Sequence, residues 1–190
     1  MIPSWNIAGV LPPIRPGAPG HSPDRSPYPA RLADVVDRFS TSTERVDILQ
    51  GFLNFRAAFH ALGIVSGFQW IDGSFLEQVE VLESRPPADI DVVTYFDLPP
   101  GLSELDLVTQ NTALFDHDHV KATFKVDHYP NVLGKAIDAF QIRQLSYWYS
   151  MWSHRRDGLW KGFIQVSLDP AEDVQALQTL AAKLPAGAII

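Results

Sequence analysis

The chain has 190 residues, 46% of them apolar, and a formal net charge of −7, which suits one packed domain. That acidic balance argues against a protein that tracks a long nucleic acid through its phosphates, since such a protein carries a basic face. There is no cysteine for a disulfide framework or thiolate metal site, no apolar run long enough for a membrane span, and no charged start leading into an apolar leader, so a cytoplasmic location is predicted.

Residues 1–30 hold Pro3, Pro12, Pro13, Pro16, Pro19, Pro23, Pro27 and Pro29. Proline fixes φ and removes a backbone donor, so this segment is expected to be an extended, Pro-rich N-terminal arm preceding a single domain over 31–190. Trp5, Ile7, Val10, Leu11 and Ile14 could pin the arm across the domain or onto a neighbour; undocked, it would be a disordered tail.

Arg31–Phe39 reads as a short helix. Thr41-Ser42-Thr43-Glu44 fits a capping box with Thr41 at the cap, opening a helix to about Leu62 that Gly63 stops. Its apolar residues cover more than one stripe, which predicts a core position against a sheet. Phe68–Asp72 is the first expected strand, Ser74–Leu82 a short helix, Asp89–Phe96 the second strand and Ser103–Gln110 a helix. The run His119–Val126 is rich in β-formers, so the third strand is placed at Val120–Tyr129, ended by Pro130. Val132–Trp152 reads as a long helix, Phe163–Leu168 as a fourth strand, and Asp169-Pro170 as the start of a last helix to about Lys183. The fold class expected is α+β, a small mixed sheet with helices mainly on one face.

Two short motifs carry chemistry. Gly73-Ser74 stands at a strand-to-helix turn, where backbone N–H groups and a hydroxyl can meet phosphates. Asp89-Ile90-Asp91 opens the next strand, and residues i and i+2 of a strand share a face, so the two carboxylates project together. Carboxylates that close repel unless a proton or cation lies between them. Mg²⁺ takes oxygen ligands and is commonly held by one or two carboxylates plus substrate phosphates. The plainer alternative is that these aspartates only form turns or caps at strand ends.

Trp70-Ile71-Asp72-Gly73-Ser74-Phe75, followed by Ala88-Asp89-Ile90-Asp91-Val92-Val93, resembles the signature of the nucleotidyltransferase superfamily, the DNA polymerase beta-like fold. The spacer, with Arg85-Pro86-Pro87, is slightly longer than that signature usually has. Tyr147–Ser150, Ser153–Gly158 and Trp160–Gly162 extend the likeness toward an uncharacterised branch of small bacterial stand-alone members. The resemblance implies Mg²⁺, with Mn²⁺ as a substitute, held by Asp89, Asp91 and a third carboxylate on a later strand, for which Asp127 is the natural match. It implies that Gly73 and Ser74 meet the phosphates of a nucleoside triphosphate. Lys161 is a candidate phosphate contact whose simpler reading is a solvated surface lysine.

The activity so implied moves a nucleoside monophosphate from the triphosphate to an acceptor hydroxyl on a protein, an RNA end or a small molecule, in a toxin–antitoxin or phage-defence setting. The acidic charge favours a protein or small molecule over a long nucleic acid. The competing reading is a non-catalytic nucleotide-binding or protein-interaction module that keeps the fold. The register of Asp127 against Asp89 and Asp91 discriminates the two. The aromatic surplus would suit contact with a second copy or a partner protein. His117-Asp118-His119 reads as a polar loop rather than a transition-metal site, because nothing nearby completes a ligand set. The chain has no Walker-type, Gly-x-Gly-x-x-Gly or Gly-x-Ser-x-Gly motif.

Overall fold

Ser42, one residue past the expected Thr41, starts the longest helix. In the computed structural model, which describes residues 1–183, its hydroxyl accepts from Arg45 N at 3.3 Å. The helix, α2 (Thr43–Ala61), follows α1 (Leu32–Phe39). It buries Ile48, Leu49, Phe52, Leu53, Phe55 and Phe59, and even Arg45 and Arg56 are fully enclosed. Buried side chains take up most of its circumference, with Thr43, Asp47, Asn54 and Ala57 marking the exposed side, which is why its apolar residues do not keep to one narrow stripe.

The strands are β1 (Tyr28–Pro29), β2 (Gly67–Asp72), β3 (Ile90–Phe96), β4 (Val126–Val132) and β5 (Ile164–Ser167). They form one mixed sheet in the order β1-β5-β2-β3-β4. β2 runs antiparallel to both β3 and β5, whereas β3–β4 and β1–β5 are parallel pairs. Between them lie α3 (Val79–Leu82), α4 (Glu104–Gln110), α5 (Thr112–Phe115), α6 (His117–Phe124) and α7 (Ala139–Trp152), and α8 (Ala171–Ala181) follows β5. The architecture is α+β with a five-stranded mixed sheet.

Strand parity assigns the two faces. Phe55 and Phe59 of α2 pack on His128, so α2 covers the face that also carries Gln69 and Thr94. A buried polar chain runs through this layer. Arg56 donates to Asp173 of α8 and to Gln69 Oε1, Gln69 Nε2 donates to Thr94 Oγ1 at 3.0 Å, and His128 Nε2 meets the same hydroxyl at 2.9 Å. Buried polar groups are tolerable only when paired in this way. Trp70 and Tyr129 point to the opposite face, where Trp148, Tyr149 and Trp152 of α7 pack on them and on Phe163.

The first thirty residues lie against the domain. Trp5 Nε1 donates to Leu76 O, Gln78 N to Gly9 O, and Gly162 N to Leu11 O at 2.7 Å. Val10 and Leu11 are buried, and Tyr28 N and Ala30 N donate to Phe163 O and Gln165 O.

Several expected elements are displaced. His117–Phe124 is helix α6, and β4 begins only at Val126, after Lys125 has turned through a left-handed conformation (φ 56°). Val120 and Phe124, four residues apart, face inward together, and Asp116 caps the helix by accepting from His119 N at 2.7 Å. α6 approaches α2 so closely that a Cβ on Gly51 would overlap Phe124 O, so only glycine allows the contact. Pro130 does not end its strand, because β4 is the last strand of the sheet and a proline's missing donor can face outward there. The helix expected from Val132 starts at Ala139, where Asp138 accepts from Phe140 N and Gln141 N. The last helix falls as expected within its described part; residues 184–190 of the expected domain lie outside the described residues.

Candidate acidic site at the end of β2, β3 and β4

Asp72 closes β2 and pairs with Asp91 of β3, and Asp91 pairs in turn with Asp127 of β4. Paired residues on neighbouring strands present their side chains to the same face. The three carboxylates therefore form a row across the sheet, on the Trp70 face and opposite α2. Asp89, two residues before Asp91, joins the row from the lead-in to β3.

The turn after β2 closes over this row. Gly73 has φ 84° and ψ −173°, a conformation essentially restricted to glycine, and a Cβ on it would land inside the Asp91 carboxylate. Beyond it the continuous Ser74–Leu82 helix expected from sequence is split into a 3₁₀ turn (Ser74–Leu76) and the four-residue α3. The cause is Arg45. Its buried guanidinium takes Phe75 O and Glu77 O, two carbonyls a continuing helix would need, and clasps the Glu80 carboxylate. Ser74 stays half-buried beside Gly73.

Two lysines enter the row from opposite sides. Lys121 of α6 places Nζ 2.8 Å from Asp89 Oδ2 and 2.8 Å from Asp127 Oδ2, so one ammonium bridges the two carboxylates. His117, one turn earlier on α6, sets Nε2 2.8 Å from Asp127 Oδ1. Lys161 is 5% exposed, not the solvated surface lysine of the simpler reading. Its Nζ donates to Glu77 Oε1 at 2.9 Å and stands 3.0 Å from Asp72 Oδ1, an oxygen left without an aligned hydrogen bond. Arg155 completes that side, 3.3 Å from Glu77 Oε2.

Asp91 makes no ion pair among the described residues, and its acidity reflects this. Burial, then the charges of Asp72, Asp127 and Asp89, push its carboxyl up to about 7, with only distant relief from Lys161. Burial likewise lifts Asp72 to about 6 against the pull of Lys161. Burial would raise Asp127 too, but hydrogen bonds from Lys121, Tyr129 and His117 outweigh it and hold that carboxyl below its ordinary value. His117 is shifted up by its bonds to Asp118 and Asp127.

The sequence motifs Gly73-Ser74, Asp89-Ile90-Asp91 and Asp127 thus meet at one place. Lys161 reaches them only through Asp72 and Glu77. Arg85 pairs with Glu83 nearby in sequence and does not enter the row. Asp72, Glu77, Lys121 and His117 are the members that sequence reasoning did not assign. Asp72 could have been found by strand parity, because it ends the strand that Gly73 follows. A cleft of about 400 Å³ between β3, β4 and α7, lined by Phe68, Tyr95, Leu133, Lys135 and Leu145, opens on the same face toward the other end of the strands.

The donor set can be tested against a hard divalent cation. Asp89, Asp91 and Asp127 offer only carboxylate oxygens, as Mg²⁺ requires. A positive charge already stands between Asp89 and Asp127, and Asp91 beside it is short of one. The residues fit the ion chemically, although no group of three or more His, Asp or Glu among the described residues is already closed to ion-holding geometry.

This α+β domain with a row of aspartates at one end of its sheet belongs to a family of unknown function, DUF6932, which the chain matches over residues 3–167. No curated protein and no solved structure matches the chain.

Proposed function

We propose that the protein is a Mg²⁺-dependent nucleotidyltransferase that moves a nucleoside monophosphate from a nucleoside triphosphate to an acceptor hydroxyl. The observation that carries this reading is the register: Asp91 sits directly opposite Asp127, with Asp89 one pleat away on the same face. Lys121 Nζ touches Oδ2 of both Asp89 and Asp127 at 2.8 Å, so those oxygens are no farther apart than twice that distance. The discriminating residue, Asp127, therefore faces the other two acids, as the enzyme reading requires and the alternative does not.

In this reading Asp89 and Asp91 would hold the ion at the triphosphate, and Asp127 would share it toward the acceptor. When bound, Mg²⁺ would neutralise phosphate charge and make the acceptor hydroxyl more acidic. The Gly73-Ser74 turn would meet the phosphates through its backbone and the Ser74 hydroxyl, while the room left by the missing Gly73 side chain is taken by the Asp91 carboxylate. Asp127 accepts the proton of the acceptor hydroxyl. The hydroxyl oxygen then bonds to the α-phosphorus, the bond from that phosphorus to the β-phosphate bridging oxygen breaks, and pyrophosphate leaves. Lys161 acts from behind, holding Asp72 and Glu77 so that the turn and the row keep their places. Rate enhancement comes from positioning and charge complementarity. With a net charge of −7, a protein or small-molecule acceptor is favoured over a long nucleic acid. Such a protein would suit a toxin–antitoxin or phage-defence module acting in the cytoplasm.

One observation favours a second reading. Asp89 and Asp127 already hold the Lys121 ammonium, so the fold stands without a metal, as a non-catalytic nucleotide-binding or interaction module would. Label transfer separates the two. The purified protein is incubated with Mg²⁺ or Mn²⁺, each α-³²P nucleoside triphosphate, and lysate proteins, RNA or small hydroxyl compounds. Label that appears on one acceptor class and is lost in D89N/D91N supports transfer; no label, with no metal-dependent nucleotide binding, leaves the interaction module.

A further inference from the structure

The row is served by two lysines that differ in one respect. Each ammonium bridges two carboxylates, Lys161 between Asp72 and Glu77 and Lys121 between Asp89 and Asp127. Lys161 has a side chain only 7% exposed, so moving it would strand buried charge. The Lys121 side chain is 42% exposed on a flexible four-carbon stem, so its ammonium can swing into water, leaving Asp89 and Asp127, 17% and 13% exposed, to whatever cation replaces it. The position it would vacate lies between two of the three carboxylates assigned above to the metal. Asp91, in the same row, has no cation of its own among the described residues.

We propose that Lys121 is a built-in counter-cation that occupies the divalent-ion position in the metal-free protein and must leave before the ion can bind. The inference rests on the metal-site reading of Asp89, Asp91 and Asp127. It gives Lys121 two consequences: it holds the repelling acids together when no metal is present, and it lowers the affinity of the site by competing for the same oxygens. His117 keeps its contact to Asp127 Oδ1, the oxygen that Lys121 does not use, and so can hold that carboxylate in place during the exchange. A site guarded in this way fills only when the ion gives more than the ammonium did. A triphosphate arriving with its own ion would do so, because its phosphates add ligands.

The test is Mn²⁺ binding, read by loss of the free-ion electron paramagnetic resonance signal in nucleotide-free protein, for the wild type, K121M and K121Q. The expected result is at least ~10-fold tighter binding in both variants, the sign expected from removing a competing charge. Mn²⁺ should also raise the melting temperature of the variants more than that of the wild type. Binding by the wild type that is equal or tighter than in the variants would overturn the inference and leave the metal site standing. No binding by any of the three proteins would overturn both. Should the variants fail to fold, the wild type alone answers. Acetylation of Lys121 by an amine-reactive ester, quantified by peptide mass spectrometry, should rise several-fold on adding Mg²⁺; an unchanged rate at saturating ion would overturn the inference.

Discussion

Gly73 and Asp91 are in such close contact that the space for a Gly73 side chain is the space the Asp91 carboxylate fills. The turn and the acid are therefore one device. Gly73→Ala should cost at least ~2 kcal/mol in chemical denaturation, from its positive φ and from displacing the carboxylate. Paired with Asp91→Ala, which clears the clash but not the backbone strain, the cost should be smaller than the two single costs added together. Additive costs would show that the contact is not made in solution.

Asp91 itself should be a stability liability without metal. Its carboxyl is raised to about 7 in the folded protein, so the folded state keeps the proton that the unfolded chain releases near pH 4. Stability from this group should fall as pH rises from about 4 to about 7 and stay lowered above that. Asp91→Asn removes the penalty. In chelator-treated protein it should melt higher than the wild type at pH 8 and close to it at pH 4.5. A variant less stable than the wild type at pH 8 would contradict the picture of an uncompensated charge.

Lys161 is expected to behave oppositely. Lys161→Met leaves Asp72 buried without its cation and Glu77 with Arg155 alone, and breaking a buried pair in this way typically costs about 3–5 kcal/mol. The loss should shrink as pH falls, because burial lifts Asp72 to about 6 even with Lys161 in place and removing that cation lifts it further, so the variant takes up the proton first. Urea titrations of both proteins at pH 5 and 8 check the size and its pH dependence.

Acid sensitivity should arise on the far face of the sheet. His128 is buried against Phe55 and Phe59, and burial lowers its ring to about 3. The folded state keeps the ring neutral while the unfolded chain protonates below about 6.5, so stability drains away as pH falls from there, by at most ~1.4 kcal/mol per pH unit. His128→Gln, which can still bond Thr94, should flatten that slope between pH 6.5 and 4; an unchanged slope would place the acid sensitivity elsewhere.

Much of the site could be read from the chain because strand parity is local. Asp89 and Asp91 share a face wherever a strand contains them, and glycine followed by serine marks a turn in any context. The pairing that sets Asp72 and Asp127 on either side of Asp91 is tertiary, and no local rule supplies it. The His119–Val126 segment misled for a related reason. Its Val120, Thr123, Phe124 and Val126 satisfy a strand by composition and a helix by spacing, and packing of α6 on α2 through Gly51 decides between them. Reading that segment as a strand hid Lys121, and reading His117-Asp118-His119 as a polar loop hid His117; both reach Asp127 only because a helical turn brings them to one side. Lys161, on sequence grounds a candidate phosphate contact or a solvated surface lysine, is enclosed by acids far from it in the chain.

The pairing of Tyr28 and Ala30 with β5 bears on how the chain can be shortened. A version that begins at Arg31 would leave Phe163 O and Gln165 O without their donors and would strip Leu11 from the core. The bared rim of β5 would then be open to the same rim of a second molecule. Self-association seen in such a trimmed protein would report the missing cover, and its oligomeric state should not be taken for that of the chain that keeps residues 1–30.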